Sequence, residues 1–283
     1  MTMFYGAPGL MTLEALTDAP CPRVRVTITG LGSTPVVLKV TRTVANEAAT
    51  VPGARARDSV DSDVLIDYAA PLNIQVTYTL YVDGVIADVK TITLESATAW
   101  IQDPLQPDRA MPVSVDVDVD GALYMRGEAL TQIDYPNRSS QMQVMGDRYP
   151  VAFGGQRQAA AGVDTSLSSK STATADAFRV MVSEAPILLL RTVSAMVPLP
   201  PLAYLLANVT EQPMNVHIGG NLTVWSVTGD LVRAVQQSAI SGFITYAEVQ
   251  ELLSPYTYDE VQTVCAGTTY LDWQKNPLIF STL

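Results

Sequence analysis

Charge, histidine, cysteine and lysine are all scarce in this chain of 283 residues, and each shortage excludes something. Charged residues make up 16%, against roughly 25% in an average soluble protein. Four lysines and thirteen arginines stand against 28 acidic residues, for a net charge of −11. The cations are scattered singly, so no basic stripe exists to displace counterions from phosphates, and nucleic acid is not an expected partner. The one histidine, His217, cannot supply a multi-histidine metal site. The two cysteines, Cys21 and Cys265, form no C-x-x-C pair, which excludes zinc scaffolds and disulfide frameworks. The most apolar tract, Ala185 to Val209, is interrupted by Arg191 and by Pro186, Pro198, Pro200 and Pro201, so it lacks the roughly 20 clean apolar residues of a spanning helix. Met1 to Leu13 is apolar but has no cationic leading region and carries Pro8 between Gly6 and Gly9, so it does not read as a signal peptide. The expectation is a soluble protein made in a cytoplasm, without membrane insertion.

Threonine and valine are abundant instead, together 61 residues, and both favour the pleated backbone because branching at Cβ restricts χ1. Apolar residues alternate with polar ones over Arg23 to Thr29, Val36 to Thr43, Val60 to Asp67, Gln75 to Val82 and Val85 to Leu94. Turn residues separate these runs at Gly30 to Pro35, Pro52-Gly53, Ala70-Pro71 and Asp83-Gly84. The last is the strongest hairpin signal, since a type I′ turn needs positive φ at both central residues. About seven short strands at this spacing predict an immunoglobulin or fibronectin type III-like β-sandwich over residues 1–95, without the Cys…Trp…Cys signature of antibody domains.

The prolines of Trp100-Ile-Gln-Asp-Pro-Leu-Gln-Pro107 predict a stiff linker over residues 96–110. Alternation resumes at Met111, opening a second β-rich domain over residues 111–241. Strands are expected at Met142 to Met145, Val151 to Phe153, Ser168 to Ala175, Ile187 to Val193, Leu202 to Thr210 and Leu222 to Val227. A short helix over Thr174 to Glu184 competes with the third of these, because Ala175, Phe178, Val182 and Ala185 fall near helical spacing. Residues 242–283 carry an internal repeat: Thr245-Tyr-Ala-Glu-Val-Gln, Thr257-Tyr-Asp-Glu-Val-Gln and Thr269-Tyr-Leu-Asp-Trp-Gln recur every twelve residues. Each reads as a helix start, with threonine as N-cap and an acidic residue three positions on. Units this short must lean on a neighbour, so the block reads as a docking device. The fold class expected is thus mainly β, with short helical repeats at the C-terminus.

Chemistry-bearing clusters are few. Asp116, Asp118, Asp120 and Gly121 match the opening of a calcium loop, but its closing glutamate would fall at position 127, which is Gly127, with Glu128 one place late. A strand with valines inward and aspartates outward explains the same residues, and both readings stand at this point. His217 beside Gly219-Gly220 finds no G-x-S-x-G elbow or second histidine. Phe153-Gly154-Gly155 lacks the third glycine of a phosphate loop. No catalytic set and no cofactor is expected.

The segments Asp67-Tyr-Ala-Ala-Pro-Leu72, Val76-Thr-Tyr-Thr79 and Trp100 to Pro107 resemble the N-terminal half of minor tail proteins from long-tailed bacteriophages infecting actinobacteria. Ile187-Leu-Leu-Leu-Arg-Thr192, Leu222-Thr-Val-Trp-Ser-Val227 and the Thr-Tyr repeats resemble that family's C-terminal block, so the likeness spans nearly the whole chain. Thr228-Gly-Asp-Leu-Val232 departs from it, where an acidic-aromatic continuation is expected. The resemblance implies a structural virion protein with a distal-tail-like second domain. Such a protein assembles with itself as a ring or collar near the tail tip and links the tail tube to host-recognition parts. Its location would be the virion tail, and its partners other tail proteins. Trp225, Thr245, Tyr246, Thr257, Tyr258, Thr269, Tyr270 and Trp273 are the residues expected at assembly contacts. A host-surface carbohydrate-binding module is the alternative, because tyrosine and tryptophan stack on sugars as readily as on protein. An accessory domain of a secreted glycoside hydrolase is a third reading.

Overall fold

The computed structural model describes residues 9–44, 47–115, 119, 121–137, 139–143, 145, 148–155, 157–193, 199–215 and 218–233. The architecture is mainly β, with seventeen described strands, one α-helix and one turn of 3₁₀-helix. Seven strands come first: β1 (Met11–Leu16), β2 (Arg23–Thr29), β3 (Val36–Val44), β4 (Glu47–Ser59), β5 (Ser62–Asp67), β6 (Gln75–Val82) and β7 (Val85–Thr93). They form two antiparallel sheets, ordered β1-β2-β5 and β4-β3-β6-β7. The period of two explains the packing. Val24, Val26 and Ile28 of β2 meet Leu38 and Val40 of β3 and Val76, Tyr78 and Leu80 of β6 in one core. The β6–β7 hairpin turns at Asp83 and Gly84, with φ of 48° and 80°, the positive pair of a type I′ turn.

The rest of the described chain builds a seven-stranded barrel. Its strands are β8 (Ala99–Gln102), β9 (Met111–Ser114), β10 (Leu123–Met125), β14 (Leu167–Ser169), β15 (Leu188–Arg191), β16 (Leu202–Pro213) and β17 (Thr223–Leu231). The order β17-β14-β10-β9-β8-β15-β16 closes because β16 pairs again with β17 over nine residue pairs. β9 and β10 run parallel and the other neighbours antiparallel. A two-residue strand, β13 (Val163–Asp164), is appended to β17. Ile101, Val113, Leu123, Leu167, Leu190, Leu205, Trp225 and Val227 fill the interior. Helix α1 (Thr172–Glu184) adds Phe178, whose ring meets that of Trp225 edge-on at 5.0 Å, together with Met181.

Two expectations are corrected. The stretch read as a linker contains β8, whose residues pair with both β9 and β15; the prolines confine the turn to residues 103–110, where Pro107–Arg109 forms the 3₁₀ turn. The described residues lie within one compact unit. The strand expected over Ser168 to Ala175 stops at Ser169, and the helix takes the remainder from Thr172. The repeat block over residues 242–283 lies outside the described residues.

Candidate interaction surface

Strands β11 (Ser140–Met142) and β12 (Val151–Phe153) stand apart from both cores. They pair antiparallel with each other and with no other described strand, and all six of their residues are exposed. The hairpin grows from the barrel between β10 and β13. Leu130 and Ile133 pack against the barrel core, and Asp134 and Ala161 pair across the root. Beyond that pair the two limbs are clasped by Gln158, whose N–H donates to Pro136 O at 3.1 Å, and by Arg157, which donates to Tyr135 O at 3.1 Å.

The register makes the hairpin two-faced. Opposed residues of an antiparallel pair share a face, and successive residues alternate. Met142 opposes Val151 and Ser140 opposes Phe153, so Met142, Val151 and Phe153 lie together, while Gln141 and Ala152 occupy the other side. Phe153 is 55% exposed and Met142 60%. Towards the tip, Met145 is exposed, as is Tyr149, over whose ring Arg148 sits. The sequence pattern places strands here, but three residues of alternation cannot tell a buried face from an exposed one, so the apolar surface is visible only in the fold. The visible signal is a methionine- and tyrosine-bearing stretch between polar residues.

A second missed feature is buried. β15 is buried on both faces: Leu188 and Leu190 point into the barrel, while Leu189 and Arg191 point towards the paired sheets of β1 to β7. Arg191 donates from Nε and Nη2 to Ala70 O at 3.0 and 2.7 Å, and from Nη1 to Pro22 O at 2.7 Å. Gln102 of β8 donates to Tyr68 O at 3.1 Å. Next to them, Arg42 pairs with Asp67 at 2.6 and 2.7 Å, and Asp67 also accepts from Tyr78 Oη at 2.9 Å and Ala69 N–H at 3.0 Å. Burial opposes the charge on Arg42, but Asp67 holds its pKa above the ordinary value. Burial lowers that of Arg191. Burial, aided by Asp67, pushes the Tyr78 phenol well up, and burial raises the Cys21 thiol against the pull of Arg191 and Arg23. A thiol so held is protonated and inert. These groups satisfy one another, and the cluster acts as a lock between the barrel and the paired sheets.

The sequence-expected sites fall differently. Trp225 is 1% exposed and packs in the barrel core, with Arg179 over its ring at 5.9 Å, so its indole offers no face to a partner. Thr245, Tyr246, Thr257, Tyr258, Thr269, Tyr270 and Trp273 lie outside the described residues, as do Asp116, Asp118, Asp120 and His217. Among the described residues no three metal-ligating side chains gather. A shallow recess is lined by Asn73, Thr93, Glu95, Ser96 and Ala97, of which Asn73 and Ser96 exchange hydrogen bonds of 2.8 and 2.9 Å. Among the described residues no helix is long and apolar enough to cross a membrane. The fold and these surfaces define a mainly β protein with a locked body and a projecting apolar hairpin. No family model, curated protein or solved structure matches the chain.

Proposed function

We propose that the protein is a structural subunit of a bacteriophage tail, forming a ring or collar near the tail tip and joining the tail tube to host-recognition parts. The observation that carries this reading is the β11–β12 hairpin, which presents an apolar face to solvent. Such a face is buried in working proteins by a partner. A locked body suits a load-bearing building block. Its role is assembly and not catalysis. The first seven strands, split three and four with the order β1-β2-β5 and β4-β3-β6-β7, fit an immunoglobulin or fibronectin type III-like sandwich. The barrel with its helix would be the distal-tail-like domain that the resemblance implies, and the repeat block from Thr245 to Trp273 would add further contacts. The net charge of −11 disfavours a lining of the DNA channel and supports a position on the outer wall or tip.

The exposed aromatic residues Tyr135, Tyr149 and Phe153 also support the second reading, a module stacking on host cell-wall carbohydrate. Negative-stain imaging of the purified full chain, with a cell-wall polysaccharide binding assay beside it, separates the two. Rings of uniform diameter are expected. Monomers that bind polysaccharide would overturn the tail reading in favour of the second.

A further inference from the structure

The arm that ends in the β11–β12 hairpin has two unequal limbs. It leaves the barrel from β10 and returns through β13 into β14, and the limbs are bonded to each other along the way. Met125 pairs with Leu167, the Arg126 N–H donates to Ser166 O at 2.9 Å, the Leu130 N–H donates to Asp164 O at 2.8 Å, and Asp134 pairs with Ala161. The returning limb is also fixed to β17. Val163 and Asp164 pair with Gly229 and Thr228, and the Thr165 N–H donates to Val227 O at 2.9 Å. Val163, Thr165 and Leu167 are all buried. The outgoing limb is held less. Over residues 123–136 Leu123 alone is buried, and Met125, Leu130 and Ile133 are partly so.

β10 is also the stave with the shortest joints. It meets β9 through Leu123–Val113 and Tyr124–Ser114, and β14 through Tyr124–Ser168 and Met125–Leu167, two residue pairs on either side. The joints that do not involve β10 have at least three. Its joint with β9 is the parallel one, a pairing slightly weaker per residue. The free energy of a local opening follows the apolar contacts and protected bonds that the segment gives up. We infer that β10 is a seam of the barrel, where the outgoing limb, residues 123–136, peels from β9 and β14 as one unit while the returning limb stays on β17. The peeling is a motion of the single chain and is independent of any assembly. Coupling between the two ends is reciprocal: a contact that holds the limbs of the arm together also holds β10 in the barrel wall.

Native-state hydrogen exchange of the full chain tests the seam, because reporter amides with known acceptors lie on both limbs. Arg126 and Leu130 are expected to share one opening free energy and, corrected for intrinsic rates, to exchange at least about 100-fold faster than Thr165. A second measurement staples the limbs with Asp134→Cys and Ala161→Cys, the 134–161 bond being verified by peptide mapping. The bond leaves a shorter loop to close at the root, so Arg126 and Leu130 should exchange about fourfold more slowly in the oxidised variant than in its reduced form. Equal protection of Arg126, Leu130 and Thr165 means that the barrel opens only as a whole, and overturns the seam. Unrelated free energies for Arg126 and Leu130, or rates that the disulfide leaves unchanged, overturn it as well, because the limb then frays residue by residue.

Discussion

Asp67 shows how one side chain can hold several elements. Its carboxylate accepts from Arg42, Tyr78 and the Ala69 backbone while fully buried. Removing one member of a buried ion pair leaves an uncompensated charge and costs about 3–5 kcal/mol, whereas replacing both by apolar residues is often nearly neutral. Asp67→Leu should therefore lower stability by at least that much, and adding Arg42→Met should recover only part of the loss, because Tyr78 Oη and the Ala69 N–H stay without their acceptor. Urea denaturation of the two variants measures both. The phenols and thiol of the same cluster set the alkaline limit. Tyr78, Tyr204 and Cys21 all have pKa values raised by burial, so the native state retains protons that the unfolded chain releases above its ordinary values of about 8.5 for cysteine and 10 for tyrosine. Their stabilisation is intact below those values and is lost as pH rises through the higher folded ones. The urea midpoint should fall steeply from about pH 9 upward, and Tyr78→Phe should flatten that fall.

At the scale of the element, α1 and the barrel interior depend on a few large side chains. Phe178 is fully buried and meets Trp225 edge-on. Phe178→Ala should cost about 3–5 kcal/mol, from lost transfer and the cavity left behind, measurable as a lowered denaturation midpoint. The hairpin residues on the surface should show no such loss. Much of this level was legible in the sequence where alternation ran long enough. Arg23–Thr29, Gln75–Val82 and Val151–Phe153 are bounded as the pattern predicts, and the Asp83-Gly84 turn has the required φ values. The misses have physical reasons. β4 runs straight through Pro52-Gly53, where the sequence predicts a turn, and takes up those residues as a slip of register against β3, so its alternation is masked. β8 lies directly beside prolines and was hidden by them. Trp225 reads as an interface aromatic in one dimension, but the closing of β16 on β17 turns it inward. The arginine in Ile187-Leu-Leu-Leu-Arg191 was visible as a charge in an apolar run, yet only the fold reveals the carbonyls it meets.

The whole molecule turns on that arginine. Arg191 reaches from the barrel to the carbonyls of Ala70 and Pro22, Trp100 and Val193 pack against the core of the paired sheets, and Ala69 joins Leu189 and Tyr204 in a small apolar cluster. Breaking this junction would expose two carbonyls and a buried guanidinium at once, so the two parts should not open independently. Native-state hydrogen exchange offers the measurement, because cooperative units exchange at a common free energy. The amides of Val24, Val26 and Ile28 should share one opening free energy with those of Leu188, Leu189 and Leu190. In Arg191→Met the stem is kept while the donors are lost, leaving the carbonyls of Ala70 and Pro22 without their partner. Those two sets of amides should then separate, the less stable part exchanging through its own unfolding. If they separate already in the wild type, the junction is a contact between neighbours and not a lock, and each part would have to carry its stability alone.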